Sequence, residues 1–157
     1  MHSLVDWCNK GYNFLKKYDE HVSDNLLKIP RSIKITSIKP SGTVSLLAGA
    51  TPGVHFPHSK YYIRRVRLGK QSNLVKPMLE AGYHVEEDQM NKENSLVVEI
   101  PVSLGENIRT LNEVSLWEQL EMASLLQRYW ADNQVSCTVT FDPKTEGSQI
   151  KNALDYF

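Results

Sequence analysis

Lys39-Pro40-Ser41-Gly42-Thr43-Val44-Ser45 joins a segment that reads as a strand to one that reads as a helix. A strand that ends in Pro-Ser-Gly and turns into a helix points free backbone N–H groups outward, and a helix N-terminus carries partial positive charge. Ser41, Thr43 and Ser45 place hydroxyls beside those donors. The stretch is a candidate anion cradle, and the same residues also suit a plain helix cap. Upstream, Ser32 to Lys39 contains Ile33, Ile35, Thr36 and Ile38 and stops at Pro40, which predicts a strand. Downstream, Thr43 to Ala48 predicts a short helix that Gly49 breaks, and Ala50 to His58 is a loop apolar enough to pack over the site or the core.

Farther out, strands and helices alternate. Leu4, Trp7, Cys8, Phe14, Leu15 and Tyr18 recur at three- and four-residue steps, which predicts an amphipathic helix from Ser3 to about Tyr18 with Cys8 on its apolar face. Tyr61 to Leu68 is a basic strand with Arg64 on one face and Arg65 and Arg67 on the other. One face must meet protein, so at least one arginine needs an anionic partner, either a structural carboxylate or a ligand phosphate. Asn73 to Ala81 reads as a helix with Pro77 in its opening turn, Glu86 to Asn94 as a polar connector, and Leu96 to Val102 as a strand whose Pro101 end lies at a sheet edge. Ser115 and Glu118 form a capping box for a helix running to about Ala131. Gln134 to Phe141 alternates as a strand with Cys137 on its apolar face, and Gly147 to Phe157 begins a helix that ends in mid-pattern. The expectation is an α/β fold with helices covering a sheet, its strands paired in parallel.

Composition narrows the function classes. Lys+Arg and Asp+Glu balance at 18 each, so no global basic field points to nucleic acid or an anionic membrane surface. No apolar run approaches the roughly 20 residues of a membrane span, and no basic-then-apolar leader opens the chain, so the expected compartment is the cytoplasm. Cys8 and Cys137 stand far apart without CxxC or Cys/His spacing, which argues against a metal site. The cradle lacks the long glycine-rich loop and following lysine of a Walker motif and has only one glycine where a dinucleotide fingerprint has three. No Gly-x-Ser-x-Gly surrounds a serine, and His55 and His58 have no defined partner. From the residues alone the reading stops at a phosphate-binding α/β piece.

A resemblance carries it further. Thr36-Ser37-Ile38-Lys39-Pro40-Ser41-Gly42-Thr43-Val44-Ser45-Leu46-Leu47-Ala48-Gly49, then Thr51-Pro52-Gly53-Val54-His55, Tyr61-Tyr62-Ile63-Arg64-Arg65-Val66-Arg67-Leu68 and Tyr129-Trp130-Ala131-Asp132-Asn133-Gln134-Val135-Ser136, closely resemble the adenosylcobalamin-dependent ribonucleoside-triphosphate reductases, the monomeric class II ribonucleotide reductases. The four blocks come in the family's order and span nearly the whole chain.

The resemblance implies a ten-stranded α/β barrel in which a cysteine radical on a finger loop abstracts hydrogen from the ribose of a bound nucleotide. It also implies adenosylcobalamin as cofactor, a ribonucleoside triphosphate as substrate and a dithiol reductant such as thioredoxin as partner. By position, Ser41, Gly42, Thr43, Val44 and Ser45 become the substrate-phosphate contacts, through backbone N–H groups and hydroxyls. The family's Asn-x-Cys-x-Glu finger motif and its C-terminal cysteine pair do not occur here, and no residue carries a signature for a cobalt ligand. Residues 1–157 are therefore expected to be one partial catalytic-barrel domain, cut at both ends, from the C-terminal half of the barrel. Such a piece contributes the phosphate loop, holds no catalytic or metal-binding residue and is inactive alone. The alternative is a non-catalytic nucleotide- or phosphate-binding α/β module.

Overall fold

The computed structural model describes residues 2–41, 45 and 49–157. They divide into two compact units, one made of residues up to His58 together with Arg109–Phe157, the other of Ser59–Ile108.

The first unit is helical. Helix α1 (His2–His21) buries Cys8 and turns Val5, Tyr12, Leu15 and Asp19 inward, a stripe at three- and four-residue spacing. Trp7, Phe14 and Tyr18 are exposed on the neighbouring stripe, where Phe14 and Tyr18 stack on each other. The apolar set expected from the sequence thus spans two stripes, and only one is packed. A π-helical turn (Val22–Leu27) follows, closed by Lys28 in the left-handed region at φ 55°. Arg31 forks onto Asp24 and reaches Glu20 at 3.1 Å, while Ser32 N donates to Asp19 at 3.1 Å, so the chain leaving the helix is folded back against it.

Helix α3 (Leu116–Tyr129) starts where its capping box predicts: Ser115 Oγ accepts from Glu118 N at 3.2 Å and Glu118 accepts from Ser115 N at 3.2 Å. Arg109 forks onto Glu118 at 2.9 and 3.1 Å and donates to Glu113 O, which ties the preceding turn to the cap. Glu118 consequently sits below the usual carboxylate range, held there first by the Arg109 hydrogen bonds. Helix α4 (Ile150–Tyr156) buries Ala153, and Trp117 joins it to α3 by donating to Gln149 at 2.7 Å and meeting Tyr156 edge-on. The buried apolar set here is Cys8, Val114, Leu116, Leu125, Ala131 and Ala153.

The second unit is a three-stranded sheet. Strands β1 (Tyr61–Gly69), β2 (His84–Glu87) and β3 (Ser95–Ser103) lie in the order β1-β3-β2, and both pairings are antiparallel. Helix α2 (Val75–Glu80) connects β1 to β2 and keeps Pro77 in its first turn, where a missing N–H does no harm. Val98 stands opposite Val66 on one side and Val85 on the other, which is why it is fully buried. Pro101 pairs with Ile63, beyond the Leu96–Glu99 stretch that β2 covers, so β3 has an open edge at the proline as expected.

Three expectations are corrected. The strands of this sheet pair antiparallel: β2 turns back into β3 through a short connection, while β1 reaches its neighbour β3 only by way of α2 and β2. The predicted connector from Glu86 overlaps strand β2, whose His84–Glu87 segment completes the sheet. The segments 32–39 and 134–141 belong to no sheet, since neither finds a ladder partner among the described residues. The helix expected at 43–48 lies outside the described residues apart from Ser45.

Candidate functional site

Of the candidate phosphate residues, Ser41 and Ser45 are described and half-buried, while Gly42, Thr43 and Val44 lie outside the described residues. Ser41 N donates to Lys39 O at 2.8 Å, the tight turn that Pro40 permits. Ser45 N donates to Ser41 Oγ at 3.2 Å, and Ser45 Oγ donates back to Ser41 O. Ser41 is only an acceptor in these bonds, so they leave its O–H proton uncommitted. Ser45 must give up its bond to Ser41 O before it can donate elsewhere. Ala50 N donates to Ser45 O at 3.0 Å and closes the segment.

The loop from Thr51 to His58 packs against the base of this turn. Gly53 has φ +61°, and a Cβ there would fall 2.6 Å from Lys39 O and 3.3 Å from Pro40 Cα. Only glycine permits both that backbone conformation and that approach. His55 Nδ1 lies 2.5 Å from Pro52 O, so this nitrogen carries the donated proton and Nε2 faces away from the bond.

On the other side of Pro40 the segment 33–39 is fastened by residues that follow helix α3. The Asp132 carboxylate accepts from Ile35 N at 2.8 Å, from Thr36 N at 3.4 Å and from the Tyr12 hydroxyl of α1 at 2.8 Å. Thr36 Oγ1 donates to Trp130 O and accepts from Asp132 N at 3.2 Å, while Asn133 Nδ2 donates to Thr36 O at 3.1 Å. Helix α1 comes close enough because residue 11 is glycine: a Cβ there would meet the Trp130 ring at 3.2 Å. The donors hold the Asp132 carboxyl below its usual range, the Ile35 amide first and Tyr12 next. The same bond raises the Tyr12 phenol, because ionising it would put two anions together.

Nothing in the sequence nominates Asp132, although its block contributes to the resemblance. An Asp-Asn pair after a helix reads as a turn, and the partners of Asp132 lie between 96 and 120 residues away. Nor does any local pattern announce the two glutamines of α3. Gln119 is buried and grips Thr140 by both backbone groups, at 2.7 and 2.9 Å. Gln127 accepts from Val135 N at 2.9 Å and donates to Asn133 O at 3.2 Å. These amides hold the segment 134–141 beside the helix as a strand ladder would. Ser37 Oγ is buried and finds no hydrogen-bond partner among the described residues.

The arginines of β1 divide as alternation predicts, with Arg64 half-buried and Arg65 and Arg67 on the more exposed face. For the latter two the partners are structural carboxylates: Arg65 meets Glu86 and Glu99, and Arg67 Nε lies 2.9 Å from the buried Asp88. Val97, opposite Arg67 on β3, is buried. Cys8 is buried and Cys137 half-buried, and both are free thiols.

Comparison with known proteins identifies the setting of this turn. The ribonucleotide reductase barrel-domain model matches residues 30–156. The chain is 62% identical over its full length to a probable adenosylcobalamin-dependent ribonucleoside-triphosphate reductase of Dictyostelium discoideum, covering 20% of that protein. It is 52% identical over its full length to the adenosylcobalamin-dependent ribonucleoside-triphosphate reductase of Euglena gracilis, covering 21%. A crystal structure of a B12-dependent (class II) ribonucleotide reductase superposes with a TM-score of 0.83 at 37% identity, over 98% of this chain and 22% of the other. The chain thus spans about a fifth of the length of the curated relatives it matches. With most of its length matched by the barrel-domain model, and with an α/β arrangement of that type, the chain belongs to the ribonucleotide reductase family.

Proposed function

We propose that this chain is the substrate-phosphate-holding part of an adenosylcobalamin-dependent ribonucleoside-triphosphate reductase, drawn from the C-terminal half of a ten-stranded catalytic barrel. Ser41, Gly42, Thr43, Val44 and Ser45 hold the phosphates of a ribonucleoside triphosphate. The observation that carries this reading is the Ser41–Ser45 turn, fastened upstream by Asp132 and at its base by Gly53, in a chain whose relatives bear that activity in their names. Anchored at these two points, Ser41 is held in place before an anion arrives, which raises the worth of its hydroxyl.

The radical chemistry belongs to residues elsewhere in the whole enzyme. Adenosylcobalamin supplies the radical that initiates the reaction, and a dithiol reductant such as thioredoxin restores the enzyme, in the cytoplasm. No residue described here is identifiable as a cobalamin contact. No three His, Cys, Asp or Glu side chains gather to hold a metal among the described residues, and Cys8 is enclosed in packing.

The test is titration of a ribonucleoside triphosphate into the wild-type chain and a Thr43→Ala, Ser45→Ala variant. Weakening of tenfold or more in the variant is expected, and equal affinity removes the loop from the site. In the same preparation, deoxyribonucleotide formation with adenosylcobalamin and a dithiol is expected to be absent, and turnover would overturn the assignment of the chemistry elsewhere.

A further inference from the structure

The amides of Ile35 and Thr36 and the hydroxyl and carbonyl of Thr36 are satisfied from one direction. Ile35 N and Thr36 N point at Asp132, Thr36 Oγ1 at Trp130 O, and Thr36 O receives Asn133 Nδ2. Thr36 is only 4% exposed, so these bonds are made where water competes poorly. The carboxylate itself bridges two elements, since one oxygen takes the Tyr12 hydroxyl of α1 and the other the two amides. Downstream, Lys39 and Pro40 are pinned by the close approach of Gly53. The chain between these two points enters the Ser41 turn with little freedom left.

We infer that Asp132 is a positioning residue for the phosphate loop: by fixing Ile35 and Thr36 to helix α1 and to the Trp130–Asn133 turn, it sets where Ser41, at the entry to that loop, stands. The inference rests on the phosphate-loop reading, yet it makes its own claim about which distant side chain that loop depends on. Asp132 acts on the segment through the Ile35 and Thr36 amides and on helix α1 through the Tyr12 hydroxyl. Its role therefore needs an acceptor facing the amides, a hydrogen-bonding group facing Tyr12 and no negative charge. In Asp132→Asn the carboxamide oxygen can take the Ile35 amide while its NH2 group donates to the Tyr12 oxygen, which reverses one bond and breaks none. Asp132→Ala loses all of them.

Hydrogen exchange and nucleotide titration on the full 157-residue chain test the inference together. Asp132→Ala is expected to speed amide exchange across 35–41 by tenfold or more, with β1 and β3 unchanged, and to weaken ribonucleoside-triphosphate binding by a similar factor. Asp132→Asn is expected to stay within about threefold of wild type in both, as conservative rescue requires. If Asp132→Ala does not fold, Tyr12→Phe removes one bond of the set and is expected to speed exchange at 35–36 by about threefold. Unchanged exchange in Asp132→Ala, or in Tyr12→Phe where that variant stands in, overturns the inference. So does an Asp132→Asn variant as impaired as the alanine, which would assign the role to charge. If exchange responds as expected while the Thr43→Ala, Ser45→Ala variant binds nucleotide like wild type, the clamp stands and the phosphate-loop reading falls. If that variant loses affinity while Asp132→Ala keeps it, the inference alone falls.

Discussion

The two units hold extended chain in different ways. In Ser59–Ile108 the strands hold one another: β3 has a neighbour on each side, and the register runs through Val66, Val98 and Val85. In the helical unit the segments 33–39 and 134–141 lie in no sheet, and individual side chains hold them, Asp132 the first, Gln119 and Gln127 the second. A ladder spreads the work over many equivalent main-chain bonds, so no single side chain is indispensable. A side-chain clasp concentrates it, and removing one residue frees the backbone groups of several.

The largest effect expected from this contrast is at Gln119. Truncating this buried amide in Gln119→Ala leaves Thr140 without its paired bonds and opens space under the segment, a loss of about 2 kcal/mol. Thermal unfolding should fall by about 6 °C for a chain of this size. Amide exchange should quicken at Thr140 and stay unchanged in β1 and β3. Quickening in the sheet as well would break the contrast by showing the two units to be one cooperative body.

A smaller loss is expected from Arg67→Ala in the sheet. The side chain of Asp88 is 5% exposed and would lose its cation, but that of Arg67 is 64% exposed, so water already screens the pair. About 1 kcal/mol is expected by denaturant titration, largely recovered when Asp88→Asn is added. A loss above that of Gln119→Ala would reverse the order of the two units.

The smallest effect concerns pH. The Asp132 carboxyl is held below its unfolded value of about 3.9, so its contribution is fully present above that pH and fades as the pH falls through the folded value. Wild type should lose stability through this acid range more steeply than Asp132→Asn, read as the difference in unfolding midpoint between pH 5 and pH 3. Parallel curves would mean that the carboxylate contributes by shape alone.

What could be read in advance follows from how local each signal is. The capping box at Ser115 and Glu118 is complete within four residues, and the helix begins there. Alternation along Tyr61–Leu68 is a property of one strand, and the half-buried and exposed arginines fall on the faces it assigns. By contrast, 33–39 and 134–141 have strand chemistry, yet strand formation needs a partner edge, which no local pattern can supply. Likewise Leu4, Trp7, Phe14 and Tyr18 satisfy a helical period, but which of two adjacent stripes is packed depends on where Trp130 and α3 lie.

By itself the sequence determined the start of α3, the alternation of β1 and the family, because a cap, a period and motif blocks are written in neighbouring residues. Tertiary structure alone decided the antiparallel sheet order, the amide clasps of α3 and the part played by Asp132. Those depend on donors and acceptors brought together from opposite ends of the chain, and a hydrogen bond records the distance between atoms in space rather than along the sequence.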